Sequence, residues 1–183
     1  MLHWLAAGIA LAYVGLVAFG VRGRVRGIKP LPALLLAVAN PPMAPVLVAW
    51  ATGDAFLLDK DRFFLHGLGA FLVGHILFIG VVGASSGVSL PALGVGLAVA
   101  GGVLSALWGG LRPKLRAPVS LYAVALAGML GVAVPAGDLP GVLFLLISDT
   151  ILAWNRFRTP LPRGDLLVMC TYYGAVFLIG LPK

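Results

Sequence analysis

Charge is scarce in this 183-residue chain, where 10% of residues are charged and 61% are hydrophobic. Mean hydropathy is +1.06. A soluble domain of this size carries about 25% charged residues, so water is excluded as the main solvent. Glutamate is missing altogether, and the 6 acidic residues are all Asp. The single cysteine, Cys170, lies within an apolar run and excludes both a disulfide and a Cys-ligated metal site. Composition and the lack of a long repeat exclude disordered and fibrous chains. What remains is an all-α, polytopic membrane protein. At about 20 residues per crossing, the length allows roughly eight spans, read as a single integral membrane domain over residues 1–183.

The net charge of +7 does not point to nucleic acid, because the basic residues sit in short clusters between apolar runs. Apolar runs bounded by Pro, Gly and charge give eight spans: 2–20, 30–40, 43–58, 63–83, 90–110, 117–135, 139–156 and 164–181. Residues 2–20 lack a basic n-region and a clear cleavage site, so they read as an uncleaved helix. Pro91, Pro118 and Pro140 fall near helix starts, where a missing N–H costs little. The weak boundary is Asn40-Pro41-Pro42. If residues 31–51 formed one span, the total would be seven.

Charge parity separates the two topologies. With eight spans, Arg22, Arg24, Arg26, Lys29, Lys60, Arg62, Arg112, Lys114, Arg116, Arg156, Arg158 and Arg163 share one face, leaving only Lys183 opposite. With seven, the first four face away from the rest. The positive-inside rule favours eight, with both termini outside the cytoplasm. Gly94, Gly96, Gly101 and Gly102 in span five predict close helix packing there, and Trp108 and Trp154 read as interfacial aromatics.

Ionisable groups inside spans are expensive and are functional candidates by default. Asp149 lies deep in span seven, Asp54 about one turn inside the end of span three, and His75 mid-span in span four. Lys29 opens span two, and Tyr122, Tyr172 and Tyr173 lie in spans six and eight. Under the eight-span topology these residues share the cytoplasmic half of the bilayer, with His75 somewhat deeper, and fit one pocket. Each also has a structural reading. Asp54 could pair with Lys60 or Arg62, Asp149 with Arg156 seven residues on, and Lys29 could snorkel. The tyrosines could be packing residues. His66 and His75, nine residues apart, fall on opposite helix faces, and His3 lies at the far membrane face. No metal site is expected.

The strings Lys29-Pro30-Leu31, Gly53-Asp54-Ala55-Phe56-Leu57-Leu58, Phe64 through Gly74-His75, Leu121-Tyr122, Ser148-Asp149-Thr150 and Tyr172-Tyr173 occur in an order that resembles the YhhN-like lysoplasmalogenase family. The resemblance covers about residues 28–181. It implies an eight-helix membrane fold and hydrolysis of the vinyl ether bond of lysoplasmalogens, releasing a fatty aldehyde and a glycerophospho-base. The family's paired aspartates, its leading catalytic candidates, fall on Asp54 and Asp149, and Ser148 joins the supporting set. Two positions depart from the family pattern: Phe78 stands where Tyr is usual and Val176 where Gln is usual, which removes two polar groups.

Vinyl ether hydrolysis begins with slow protonation of the β-carbon to give an oxocarbenium ion, which water then attacks. The reaction needs a carboxylic acid that holds its proton and a nearby negative charge for the cation. Two carboxyls at a hydrocarbon edge supply both, much as in glycosidases. The assignment that follows makes Asp149 the general acid and Asp54 the stabilising carboxylate. His75 positions water or tunes a carboxylate, Lys29 binds the lipid phosphate, and Tyr172 or Tyr173 donates to glycerol oxygens. No cofactor is required. The expected partners are a lysophospholipid substrate and membrane lipid, with oligomeric state unreadable. The expected location is a bacterial inner membrane with the pocket toward the cytoplasm. The alternatives are a transporter or a non-catalytic binder of lysolipids. Against transport, the outer halves of the spans hold little that is polar beyond Asn40, Ser85, Ser86 and Asp138.

Overall fold

The computed structural model describes residues 1–21 and 26–182; Arg22, Arg24 and Lys183 lie outside the described residues. Among the described residues there are eight α-helices and no strand. They are α1 (Leu2–Ala18), α2 (Leu31–Ala39), α3 (Ala44–Phe56), α4 (Lys60–Ser86), α5 (Leu90–Leu107), α6 (Pro113–Ala136), α7 (Leu139–Phe157) and α8 (Gly164–Gly180). Three stretches are long and apolar enough to cross a membrane: Asp61–Ser86, Leu90–Gly110 and Pro113–Ala136. Leu2–Ala18 and Gly164–Gly180 are shorter apolar helices.

The break at Asn40-Pro41-Pro42 is real. A 3₁₀ turn over Pro41–Met43 separates α2 from α3, as expected where proline bars the preceding residue from continuing a helix. Asn40 donates its side-chain amide to the carbonyls of Gly180 (3.3 Å) and Leu181 (3.4 Å), supplying partners that the end of α8 lacks. Helix α2 thus runs from Lys29, level with Tyr173, to the C-terminal end of α8. Helix α3 returns and brings Asp54 back to Tyr172. The two form a hairpin, and a single span over residues 31–51 is excluded.

Small residues set the registers. Along α3 and α4, Gly74 meets Trp50, Gly53 meets Phe71 and Gly67 meets Leu57, the numbers rising on one helix as they fall on the other. Helices α7 and α8 pack in the same antiparallel way through Gly141 against Ile179 and Gly174 against Phe144. Helices α4 and α6 run parallel, with Ile79 on Gly128 and Val132 on Gly83. The order α1, α2, α3, α4, α6, α7, α8 and back to α1 closes a ring, with α5 outside it against α6 and α7.

Two expectations change. Of the four glycines in α5, only Gly96 makes a close helix contact, on Ala127; Gly94, Gly101 and Gly102 face open space because α5 lies at the periphery. Helix α6 begins at Pro113 rather than 117, so Pro118 sits inside it. Large apolar side chains cover the outside, including Trp4, Leu11, Val38 and Leu121, whereas Lys29, Asp54, His75 and Ser148 are buried. Apolar outside and polar inside is the arrangement that lipid demands.

Candidate active site

The polar interior is built from helices on all sides of the ring. Lys29 precedes α2, Trp50 and Asp54 lie one turn apart on α3, His75 is mid-α4, and Tyr122 is on α6. Ser148 and Asp149 come from α7, and Tyr172 and Tyr173 from α8.

Two carboxyls anchor two clusters. The Asp54 carboxylate has Lys29 Nζ 2.7 Å from Oδ1 and accepts the Tyr172 hydroxyl at 2.7 Å on Oδ2. This pair is almost wholly buried. Lys29 is therefore not a snorkelling residue, and Asp54 does not use Arg62, whose guanidinium lies over the Phe63 ring. Tyr173 donates to the Lys29 backbone carbonyl at 3.0 Å, fixing the segment from which the ammonium projects. Ser148 donates to Val168 O at 3.2 Å and ties α7 to α8.

Among the described residues Asp149 has no Lys or Arg partner. Its Oδ2 accepts the Tyr122 hydroxyl at 2.7 Å. Arg156, the alternative partner, bonds Asp61 at 3.0 Å instead. His75 Nε2 lies 3.5 Å from the same Oδ2. That is too long for a sound hydrogen bond, and Nε2 is buried without a partner. On its other side, His75 Nδ1 accepts from Trp50 Nε1 at 3.2 Å. An indole only donates, so this bond puts the ring proton on Nε2, facing Asp149.

Sequence reasoning missed Trp50. Its signal was its place one turn before Asp54 on the same helix face, with an indole N–H that needs an acceptor when buried. Of Tyr172 and Tyr173, the two candidate donors to glycerol oxygens, Tyr173 gives its hydroxyl to the Lys29 carbonyl and Tyr172 gives its own to Asp54. Phe78 and Val176 are packed into the main apolar core and line neither of the two cavities at the site.

Those cavities meet. A chamber of about 320 Å³ is lined by Lys29, Asp54, Ser148, Asp149 and Tyr172 together with apolar side chains. Beside it lies a larger space of about 660 Å³ bounded by α4, α5, α6 and α7. Asp149, Leu57, Phe71 and Leu152 line both. Asp54 and Asp149 thus share one chamber, the first beside the Lys29 ammonium and the second beside the Tyr122 hydroxyl and the His75 ring.

The description "YhhN family" belongs to a family model that matches residues 25–182. The chain belongs to the YhhN family. It is 39% identical over 140 residues to the lysoplasmalogenase TMEM86B of Sus scrofa, covering 74% of this chain and 60% of that one. It is 35% identical over 167 residues to the lysoplasmalogenase TMEM86B of Homo sapiens, covering 84% and 73%. A bacterial relative, the lysoplasmalogenase of Mycobacterium bovis, is 34% identical over 130 residues, covering 63% and 49%. This YhhN-family chain therefore spans roughly half to three quarters of the length of the curated relatives it matches. No solved structure matches it. All nine site positions described above fall inside the matched region.

Proposed function

We propose that this YhhN-family protein is a membrane-embedded lysoplasmalogenase that acts by carboxylic acid catalysis. The chain acts as one multi-pass membrane domain of a bacterial cell membrane, with the chamber toward the basic, cytoplasmic face. The observation that carries the reading is the asymmetry of the two aspartates in one chamber. Two carboxyls in one chamber, one beside the Lys29 ammonium and the other beside hydroxyl and imidazole donors, are the pair that acid catalysis with charge stabilisation requires. Lysoplasmalogenase relatives from mammals and bacteria agree with it.

In this mechanism Asp149 Oδ1–H delivers its proton to the β-carbon of the vinyl ether, and the double-bond electrons form the new C–H bond. The charge left on Asp149 gathers on a carboxylate whose Oδ2 already faces Tyr122 O–H and His75 Nε2–H. Donors aimed at developing charge lower the barrier. The oxocarbenium on the adjacent carbon is stabilised by the Asp54 carboxylate. Water adds there and gives its proton to Asp149, which regenerates the acid. The hemiacetal then collapses: Asp149 gives a proton to the glycerol oxygen as its C–O bond breaks and takes back the proton of the hemiacetal hydroxyl, leaving a fatty aldehyde and a free glycerol hydroxyl. Lys29 pairs with Asp54 and turns its remaining donors toward the lipid phosphate, while Tyr172 orients Asp54. Every proton moved is supplied by a carboxyl or by water.

Aldehyde release from a vinyl-ether lysophospholipid by purified protein tests the proposal. Asp149→Asn and Asp54→Asn should each lower kcat at least about 100-fold, the usual scale for a lost general acid or a lost electrostatic partner. Full activity in both variants would end the carboxylate mechanism. Lysolipid retained stoichiometrically without aldehyde would make the protein a binder.

A further inference from the structure

The proposed reaction uses the polar chamber and leaves the larger space beside it without a role. That space is walled by Leu68 on α4, Leu104 on α5, Val119 and Ala123 on α6, and Ala153 on α7, among other apolar side chains. Asp149, Thr150 and Tyr122 are the residues with polar groups that line it. The border between groove and chamber is therefore chemical as well as geometric, and Asp149 stands on it. Lysolipids with a vinyl ether have the same discontinuity: on one side of the ether oxygen is hydrocarbon, on the other glycerol and phosphate.

We infer that the α4–α7 groove is the hydrocarbon subsite, holding one unbranched alkenyl chain while the glycerophosphate occupies the chamber. The inference rests on the hydrolase reading and adds what selects the scissile bond. The bond protonated is the one at which the lipid stops being apolar, because that is where Asp149 sits. Position along the lipid is read by the boundary, and the chain itself is read only by shape and apolar contact. Helix α5, outside the ring, supplies the outer wall of the groove through Val103, Leu104 and Leu107.

Ala123 and Ala153 line the groove from adjacent helices. Ala123→Phe and Ala153→Phe fill space the chain needs, and Ala123→Leu fills less. Initial rates are measured on vinyl-ether lysophosphatidylcholines with eight-carbon and sixteen-carbon chains. The inference expects kcat/KM for the long chain to fall at least tenfold while the short chain changes less than about threefold, with Ala123→Leu intermediate. Equal losses at both lengths, with the variants still monodisperse in detergent, would overturn it.

A second readout does not need turnover. An alkyl-ether lysophosphatidylcholine carrying a diazirine near the chain end is photolysed on the wild type and on Asp149→Asn, and adducts are mapped by mass spectrometry. Adducts on α5 and α6 in both proteins support the subsite even if no aldehyde is ever released, in which case the hydrolase reading alone fails. Adducts confined to α1, α2 or α8 overturn the subsite even if hydrolysis proceeds.

Discussion

Trp50 donates its indole N–H to Nδ1 of His75 across 3.2 Å, and this one bond decides which way the imidazole faces chemically. With Nδ1 occupied as an acceptor, the proton is on Nε2, aimed at Asp149 Oδ2 3.5 Å away. His75 is thereby set as a donor toward the carboxylate and not as a base. Gly74 makes the bond possible, since a Cβ there would run into the Trp50 ring.

Trp50→Phe keeps a ring in the packing and removes the donor. The imidazole then loses the bond that fixes its tautomer, and the form that presents a lone pair to Asp149 becomes accessible. A drop in kcat of about tenfold is expected, with KM little changed. The measurement that separates this from a packing defect is the pH–rate profile. A positioning role shifts its acid or alkaline limb, whereas loosened packing lowers the whole curve.

Lys29→Met should destabilise the protein strongly, because it strands a buried carboxylate; removing one partner of a buried pair costs about 3–5 kcal/mol. Replacing both partners, Lys29→Met with Asp54→Leu, should recover most of that loss while leaving no activity. Thermal unfolding in detergent reads the first effect and aldehyde release the second. Additive losses in the double variant would contradict the pairing.

Gly74→Ala and Gly101→Ala give a contrast within one chemical change. At position 74 the added methyl meets the Trp50 ring and lies 3.3 Å from the Val46 carbonyl, and overpacking of this kind costs about 1–3 kcal/mol. At position 101 the methyl meets nothing within 4 Å. A lower midpoint and lower activity are expected for the first. Stability equal to or above wild type is expected for the second, since alanine is the better helix former.

Tyr122→Phe and Tyr173→Phe separate two hydroxyls that look alike in sequence. The Tyr122 hydroxyl touches Asp149 at 2.7 Å, so its loss should lower kcat about tenfold or more. The Tyr173 hydroxyl holds a backbone carbonyl at 3.0 Å, so its loss should cost about 1 kcal/mol of stability and change kcat by less than about threefold. Reversal of these two results would place Tyr173, not Tyr122, at the reacting carboxyl.

Much of this architecture was legible in the chain itself. Scarce charge, apolar runs of spanning length and the one-sided placement of the basic residues give a helical membrane bundle with eight helices. Proline at 41 and 42 marks the break inside what hydropathy alone would join. The cost of burying Asp54, Asp149 and His75 in hydrocarbon singled them out without any structure. Trp50 and the glycine contacts were not legible, because an indole or a glycine in an apolar run looks like any other packing residue until its neighbour across the helix is known.

The sequence by itself determined the class of fold and the residues too costly to bury without reason, since both follow from transfer of groups between water and hydrocarbon, one residue at a time. Tertiary structure decided the pairings. Lys29 lies 25 positions from Asp54 in the chain and takes it as partner, Arg156 turns away to Asp61, and Asp149 is left beside the Tyr122 hydroxyl and the His75 ring at the edge of an apolar groove. Those outcomes depend on how far each helix slides along its neighbour, which is set by glycine contacts and an interrupting proline turn. Local composition carries no record of that distance.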